Sequence, residues 1–75
     1  MDPHRELRQR ILSEVYREQE ARPDGDGLFV GDLEKRLGCS LSFDIGYLRS
    51  KGWLLWDGGY LQLSADGMDA VEGGN

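Results

Sequence analysis

The sequence has a single cysteine, two prolines and no long apolar run. One cysteine, Cys39, excludes an internal disulfide and any metal site built from several cysteines. No apolar stretch approaches the ~20 residues that a membrane-spanning helix needs, and the N-terminus lacks the apolar region of a secretory signal. We therefore expect a soluble, cytoplasmic protein with no membrane partner.

The chain is also short of positive charge. It has nine lysines and arginines but fourteen aspartates and glutamates, which gives a net charge of −5. Proteins that bind nucleic acid usually carry a basic surface, because phosphate neutralisation supplies most of their affinity. Within residues 40–60, however, Asp44 and Asp57 balance Arg49 and Lys51. The middle of the chain is therefore neutral, but it is not basic.

The first helix is predicted by apolar residues that recur every four positions. Asp2 suits a helix cap, Pro3 suits the first helical position, and Pro23 prevents the helix from continuing. The other face mixes arginine and glutamate, which is typical of a solvent-exposed surface. The predicted inward residues are Leu7, Ile11, Leu12, Val15 and Tyr16.

A turn-rich loop follows, and its segment Asp24–Gly27 invites comparison with a calcium-binding loop. A loop of the EF-hand type needs a bidentate glutamate at its twelfth position, because Ca²⁺ takes six to eight oxygen ligands. Counting from Asp24, that position is Lys35. We therefore expect no calcium site here.

A three-residue strand, Leu28–Val30, is predicted after the loop. Gly31 and Asp32 then open a short helix, and Gly38 ends it, since glycine is common just past a helix end. Cys39 lies in the following turn, where we expect it to be a small buried residue. The inward residues of this helix are Leu33 and Leu37.

The next helix is predicted to run from Ser40 or Ser42 to Ser50, with a serine as its cap. Gly46 inside it costs about 1 kcal/mol relative to alanine. Close approach of another backbone or of a ligand would explain this glycine, and so would simple tolerance. The predicted inward residues are Leu41, Ile45 and Leu48, and the predicted solvent-facing residues are Ser42, Asp44, Tyr47 and Arg49.

A β-hairpin is predicted from two apolar segments, Trp53–Trp56 and Tyr60–Leu63, on either side of Asp57-Gly58-Gly59. Leu54 and Trp56 should share one face of it. Ser64 then caps a last short helix, and residues 73–75 should fray. The core-facing residues of that helix are Met68 and Val71.

This order of elements resembles that of the winged-helix family. Leu33–Gly38 is similar to the family's second helix and turn, Ile45–Leu54 to its third helix and the entry into the wing, and Tyr60–Gly67 to the wing's return strand and the turn after it. The resemblance implies an α+β fold for residues 1–75. It would be a single small winged helix-turn-helix domain with a three-helix core, a short two-stranded wing and a C-terminal helical turn.

In this family the third helix enters the major groove of duplex DNA, and the wing lies beside the backbone or the minor groove. The resemblance therefore implies a small DNA-binding transcriptional regulator. Because few phosphate contacts are available, such a protein would need to form a homodimer or join a larger complex. The implied DNA- or partner-binding residues are Ser40, Ser42, Phe43, Asp44, Tyr47, Arg49, Lys51, Gly58 and Gly59, with Asp57 also at the wing tip.

In a second hypothesis, the same surface binds a protein partner. Winged helices also serve as protein-protein interaction modules, and an acidic chain with Phe43, Tyr47 and Trp56 near the third helix suits that use. For Trp53 and Trp56, packing in the core or the wing is favoured over contact with a partner. We expect no enzyme, no small-molecule substrate and no cofactor, because no nucleophile–base pair or ligand cluster is visible and His4 is expected to be solvated.

The predicted phase of the third helix can be tested with Leu48→Ala. If Leu48 faces the core, the substitution leaves a cavity and lowers the free energy of unfolding by about 2–5 kcal/mol, measured by urea denaturation. A change below about 0.5 kcal/mol, which is typical of surface positions, would mean that the helix is rotated relative to the prediction.

Overall fold

The computed structural model describes residues 3–73, which form an α+β fold. The predicted cap at Asp2 and the predicted fraying of residues 74 and 75 fall outside the described residues. No helix within residues 3–73 is long and apolar enough to cross a membrane. The elements are α1 (Pro3–Ala21), β1 (Leu28–Phe29), α2 (Val30–Leu37), α3 (Ser42–Ser50), β2 (Leu54–Asp57), β3 (Tyr60–Leu63) and α4 (Ala65–Val71).

The predicted hairpin is confirmed and forms part of a larger antiparallel sheet. Strand β2 pairs with β3 so that Leu54 lies opposite Leu63 and Trp56 opposite Leu61. The two strands are joined at Gly58 and Gly59, which have φ values of 57° and 93°. Positive φ at both central residues is what a tight hairpin turn requires, and glycine adopts it without steric cost.

Strand β1 extends the hairpin to three strands in the order β1-β3-β2. It is one residue shorter than predicted, because Val30 already belongs to α2. The Val30 N–H donates to the Gly59 carbonyl at 2.8 Å, which joins the start of α2 to the hairpin turn. The segment Leu28–Val30 therefore passes directly from strand to helix.

A single core lies between α1, α3 and the sheet. The phase predicted for α1 is confirmed, since Ile11, Leu12 and Val15 are buried, while Leu7 and Tyr16 pack at its border. Met68 and Val71 of α4 are half-buried against the same core, also as predicted. The buried apolar residues are Ile11, Leu12, Val15, Leu28, Leu33, Leu41, Ile45, Leu48, Leu54, Leu61 and Leu63.

The helix ends are confirmed in part. Helix α1 ends at Ala21, before Pro23, and Gly38 is left-handed at the end of α2, with φ of 74°. The Ser64 side chain caps α4 by accepting from the Gly67 N–H at 3.1 Å. The serine cap predicted for α3 is wrong, because Leu41 occupies the cap position.

Glu34 replaces the missing serine cap. Its Oε2 accepts the N–H of Leu41 at 2.9 Å, so a side chain from α2 satisfies the backbone where α3 begins. The prediction of a buried Cys39 is also wrong, since that residue is exposed in the turn. Leu41, two residues later, is the residue of this turn that enters the core.

Two helical glycines have opposite surroundings, and alanine should therefore have opposite effects at them. A Cβ at Gly67 would overlap the Trp53 carbonyl oxygen, so Gly67→Ala must push α4 away from the hairpin. We expect a loss of about 1–3 kcal/mol in the free energy of unfolding. A Cβ at Gly46 would meet nothing within 4 Å, so Gly46→Ala should add about 1 kcal/mol.

Urea denaturation of both variants beside the parent chain provides the measurement. If Gly67→Ala were neutral, α4 would not pack against the hairpin as described. If Gly46→Ala were destabilising, the surface of α3 at this position would not be open.

Candidate functional site

Helix α3 presents one face to solvent, and most of the predicted binding residues lie there. Phe43 is 70% exposed and Tyr47 is 42% exposed, one helical turn further on. Ser42, Gly46 and Arg49 are exposed on the same helix. The inward residues Leu41, Ile45 and Leu48 hold this face outward, because they are buried in the core beneath it.

Asp44 departs from the prediction, since its exposure is only 2%. The Arg8 Nε donates to its Oδ1 at 2.9 Å, and His4 Nδ1 lies 3.1 Å from the same oxygen. Helix α1 packs across α3 and brings both partners to one point, because positions four residues apart share a helix face. Pairing with these groups offsets the cost of removing the carboxylate from water. We call Asp44, Arg8 and His4 the Asp44 cluster.

His4 was predicted to be solvated, but it takes part in this cluster. Its side chain is 51% exposed, and its ring lies 5.2 Å from that of Phe43, measured between centroids, with the planes tilted by 55°. The imidazole therefore covers one side of the most exposed aromatic residue of α3. Among residues 3–73, no group of three or more histidine, cysteine, aspartate or glutamate side chains is arranged to hold a metal ion.

A groove between α1 and α3 gathers cations around two aromatic rings. The Arg8 guanidinium lies 3.7 Å from the centroid of the Tyr47 ring, and Lys51 Nζ lies 4.7 Å from that of Trp53. These are distances at which a cation is attracted to an aromatic face. The groove measures about 290 Å³, and its lining residues are Arg5, Arg8, Gln9, Leu12, Tyr47, Leu48, Lys51 and Trp53.

Arg49 belongs to a second group, on the hairpin side of α3. Its guanidinium lies 5.4 Å from the centroid of the Trp56 ring. No salt bridge among the described residues involves Arg49 or Lys51, whereas Arg8 is paired with Asp44. Arg49 and Lys51 are therefore available to an anionic partner, whereas Arg8 of α1 is not.

The remaining predicted residues lie apart from these two groups. Ser40 is exposed in the turn before α3. Gly58 and Gly59 form the hairpin turn. Gly58 is exposed, whereas Gly59 is bonded to Val30 and lies against the ring of Phe29. The structure therefore brings together Phe43, Asp44, Tyr47 and Lys51 along α1, and Arg49 with Trp56.

Charge is distributed unevenly over the molecule. The one acidic residue of α3 is buried and paired, so the exposed face of that helix carries only Arg49 and, at its end, Lys51. Helix α4 and its C-terminal cap carry three acids and no base, namely Asp66, Asp69 and Glu72. Tyr16 donates to Glu72 at 2.7 Å, and this bond to a carboxylate raises the pKa of the tyrosine hydroxyl.

The sequence of α1 gives only a weak indication of the Asp44 cluster. His4 and Arg8 are four residues apart on a helix that is otherwise rich in compensated charge, so the pair looks like part of a solvated surface. Their partner lies 40 and 36 residues away in the chain. Nothing in the local spacing around Asp44 distinguishes it from an exposed helical acid.

No family model, no curated protein and no solved structure matches the chain. The arrangement of its own side chains therefore carries the functional inference that follows.

Removing the Asp44 carboxylate should destabilise the fold. Asp44→Ala leaves Arg8, whose side chain is 20% exposed, without its carboxylate partner and opens space between α1 and α3. We expect a loss of about 2–4 kcal/mol in the free energy of unfolding, because breaking a fully buried pair costs about 3–5 kcal/mol and Arg8 is partly exposed.

Asp69→Ala is the matched control, because Asp69 is exposed on α4 and should change the stability little. Urea denaturation followed by circular dichroism measures both variants. Equal stabilities for the two would mean that Asp44 does not connect the helices.

Proposed function

We propose that this chain is a winged-helix domain that binds duplex DNA through the exposed face of α3, as a small transcriptional regulator. The order of its elements supports this assignment: helix, strand, two helices joined by a tight turn, then a hairpin. In a winged helix the second helix of that pair is the one that enters the major groove. Here that helix is α3.

The burial of Asp44 is the observation that carries the proposal. A carboxylate exposed on the third helix would repel the phosphate backbone, and the neutral charge count of residues 40–60 includes this acid. In the fold, the Asp44 carboxylate is buried and its charge is compensated by Arg8. The face left to a partner is therefore cationic, although the chain as a whole is acidic.

Each exposed polar residue of α3 has a role under this proposal. Arg49 would contact a phosphate or a guanine edge, and Lys51 would contact the backbone as a point charge. Ser42, in the first turn of the helix, would donate its hydroxyl to a phosphate. Gly46 leaves the surface between them open, which allows a close approach of the duplex.

The uneven charge distribution also favours this orientation. The acids of α4 and its cap, including Asp66 and Asp69, belong to a different element from α3 and carry no compensating base nearby in sequence. A polyanion would be attracted to the α3 face and repelled from α4. With only two or three cations in contact, the affinity would be weak and strongly dependent on salt.

A protein partner remains the second candidate, and a specific observation favours it. Phe43 is the most exposed large apolar side chain among the described residues, and it lies beside Tyr47 on the same face. Aromatic side chains are enriched at protein interfaces, where they supply contact area at low entropic cost. A duplex would use the cations of this face, whereas a protein would use its aromatic rings.

An NMR titration with a random-sequence duplex at low salt tests the proposal. We expect shifts concentrated at residues 42–51, reversed when salt is added. Arg49→Glu should weaken binding by about tenfold and reduce the slope of log affinity against log salt by about 1, as the loss of one phosphate contact does.

Arg17→Glu is the control for charge, because Arg17 is an exposed arginine of α1 paired with Glu14 rather than a residue of the α3 face. It should retain nearly all of the affinity. Unchanged binding by Arg49→Glu would show that α3 is not the contact surface. An absence of shifts at high micromolar duplex would reject DNA binding and favour the protein partner.

A further inference from the structure

Strand β2 forms an open edge of the sheet. The strand order β1-β3-β2 leaves one side of β2 without a neighbouring strand. The other edge strand, β1, is only two residues long and passes directly into α2. Edge strands in monomeric proteins are usually protected by lysine, proline or a bulge. Strand β2 reads Leu-Leu-Trp-Asp and has no lysine, proline or bulge; its one charged residue, Asp57, lies at the turn end.

The hydrogen-bond pattern of the hairpin determines which backbone groups point to this edge. Asp57 pairs with Tyr60 across the two-residue turn, so Asp57 and Leu55 direct their N–H and C=O groups toward β3. Leu54 and Trp56 therefore direct theirs toward the open side. Among residues 3–73, no hydrogen bond outside the ladder reaches the backbone of β2.

The far side of β3 differs, because its backbone groups have partners. Leu61 faces Leu28 of β1, and the Leu63 N–H donates to the Gln19 side chain beyond the end of that strand. The backbone groups on the β1 side of β3 are thus paired, whereas those on the open side of β2 are not. Exposed apolar side chains accompany the open edge, since Leu55 is 52% exposed and Trp56 is 42% exposed.

We infer that β2 pairs with β2 of a second copy of this chain, antiparallel and about a two-fold axis at Leu55. Leu54 and Trp56 of one copy would then form hydrogen-bonded pairs with Trp56 and Leu54 of the other. The two Leu55 side chains would face each other on the axis, at the close spacing of a pair that is not hydrogen-bonded. The two three-stranded sheets become one sheet of six strands.

Charge complementarity supports a second copy as the occupant of this edge. In this register Asp57 lies opposite Trp53 of the second copy. The Lys51 ammonium lies 4.7 Å from the centroid of that Trp53 ring, so each Asp57 would face a lysine across the axis. Neither Asp57 nor Lys51 takes part in a salt bridge among the described residues.

Sedimentation velocity on the intact chain, over a concentration series up to the millimolar range and without DNA, tests this inference. Because an edge of four residues buries less surface than a standard interface, we expect a weak dimer whose population rises with concentration. Asp57→Lys and Lys51→Asp should each weaken the dimer about tenfold, since two symmetric pairs are lost. The double variant should restore it, because reversing both charges re-forms the pairs.

Two further variants distinguish pairing of the β2 edges from nonspecific hydrophobic association. Leu55→Asp places two like charges together on the axis and should abolish the dimer, whereas Phe43→Asp removes a more exposed apolar residue of α3 and should leave it unchanged. Circular dichroism confirms that each variant is folded. A chain that stays monomeric, a dimer that survives Leu55→Asp, or a double variant without recovery would each overturn the inference. The dimer does not depend on DNA binding, so either proposal can fail alone.

Discussion

The pairing of Asp44 with Arg8 and His4 is the interaction on which the orientation of α3 depends. An unpaired buried carboxylate would cost several kcal/mol, so α1 must present a cation at the point where α3 buries this side chain. That requirement restricts both the rotation of α1 and its position along α3. The buried aliphatic side chains tolerate changes of shape as long as their total volume is kept, whereas the ion pair requires two particular groups at one point.

Much of the fold could be predicted from local sequence patterns. The four-residue apolar repeat located α1, the glycine at position 38 located the end of α2, and the residues around Gly58 and Gly59 located the hairpin. Each of these signals acts within a few residues, because helix phase and turn geometry are local properties. The inward phase of Leu41, Ile45 and Leu48 is confirmed for the same reason.

The features that could not be predicted depend on contacts between distant segments. Asp44 has the spacing of a solvent-facing residue, and only the packing of α1 over it makes it buried. Leu41 is capped by a glutamate of α2 instead of by a serine beside it, so the local capping rule fails. Cys39 is exposed, and Leu41 fills the core below the turn instead. Composition alone does not indicate which of these two apolar residues is buried. The exposed face of α3 could thus be predicted except at Asp44, so the charge of that face could not.

The two proposed surfaces are adjacent in the chain. Helix α3 leads through Lys51 and Gly52 directly into β2. A two-fold axis at Leu55 would therefore bring two copies of α3 to neighbouring positions on either side of it. For a domain with so few cations, a second copy would bring a second Arg49 to the duplex in the same binding event, and the affinity of a linked pair exceeds that of either part.

The hydrogen bond from Val30 to Gly59 has a consequence for how the hairpin can respond to a partner. A wing that projects freely must be ordered when it binds, and that loss of conformational entropy reduces the affinity. Here Gly59 of the turn is bonded to the first residue of α2 and lies against the ring of Phe29. The turn is thereby held against α2 in one arrangement before any partner arrives, so little of its conformational freedom is left to be lost on binding.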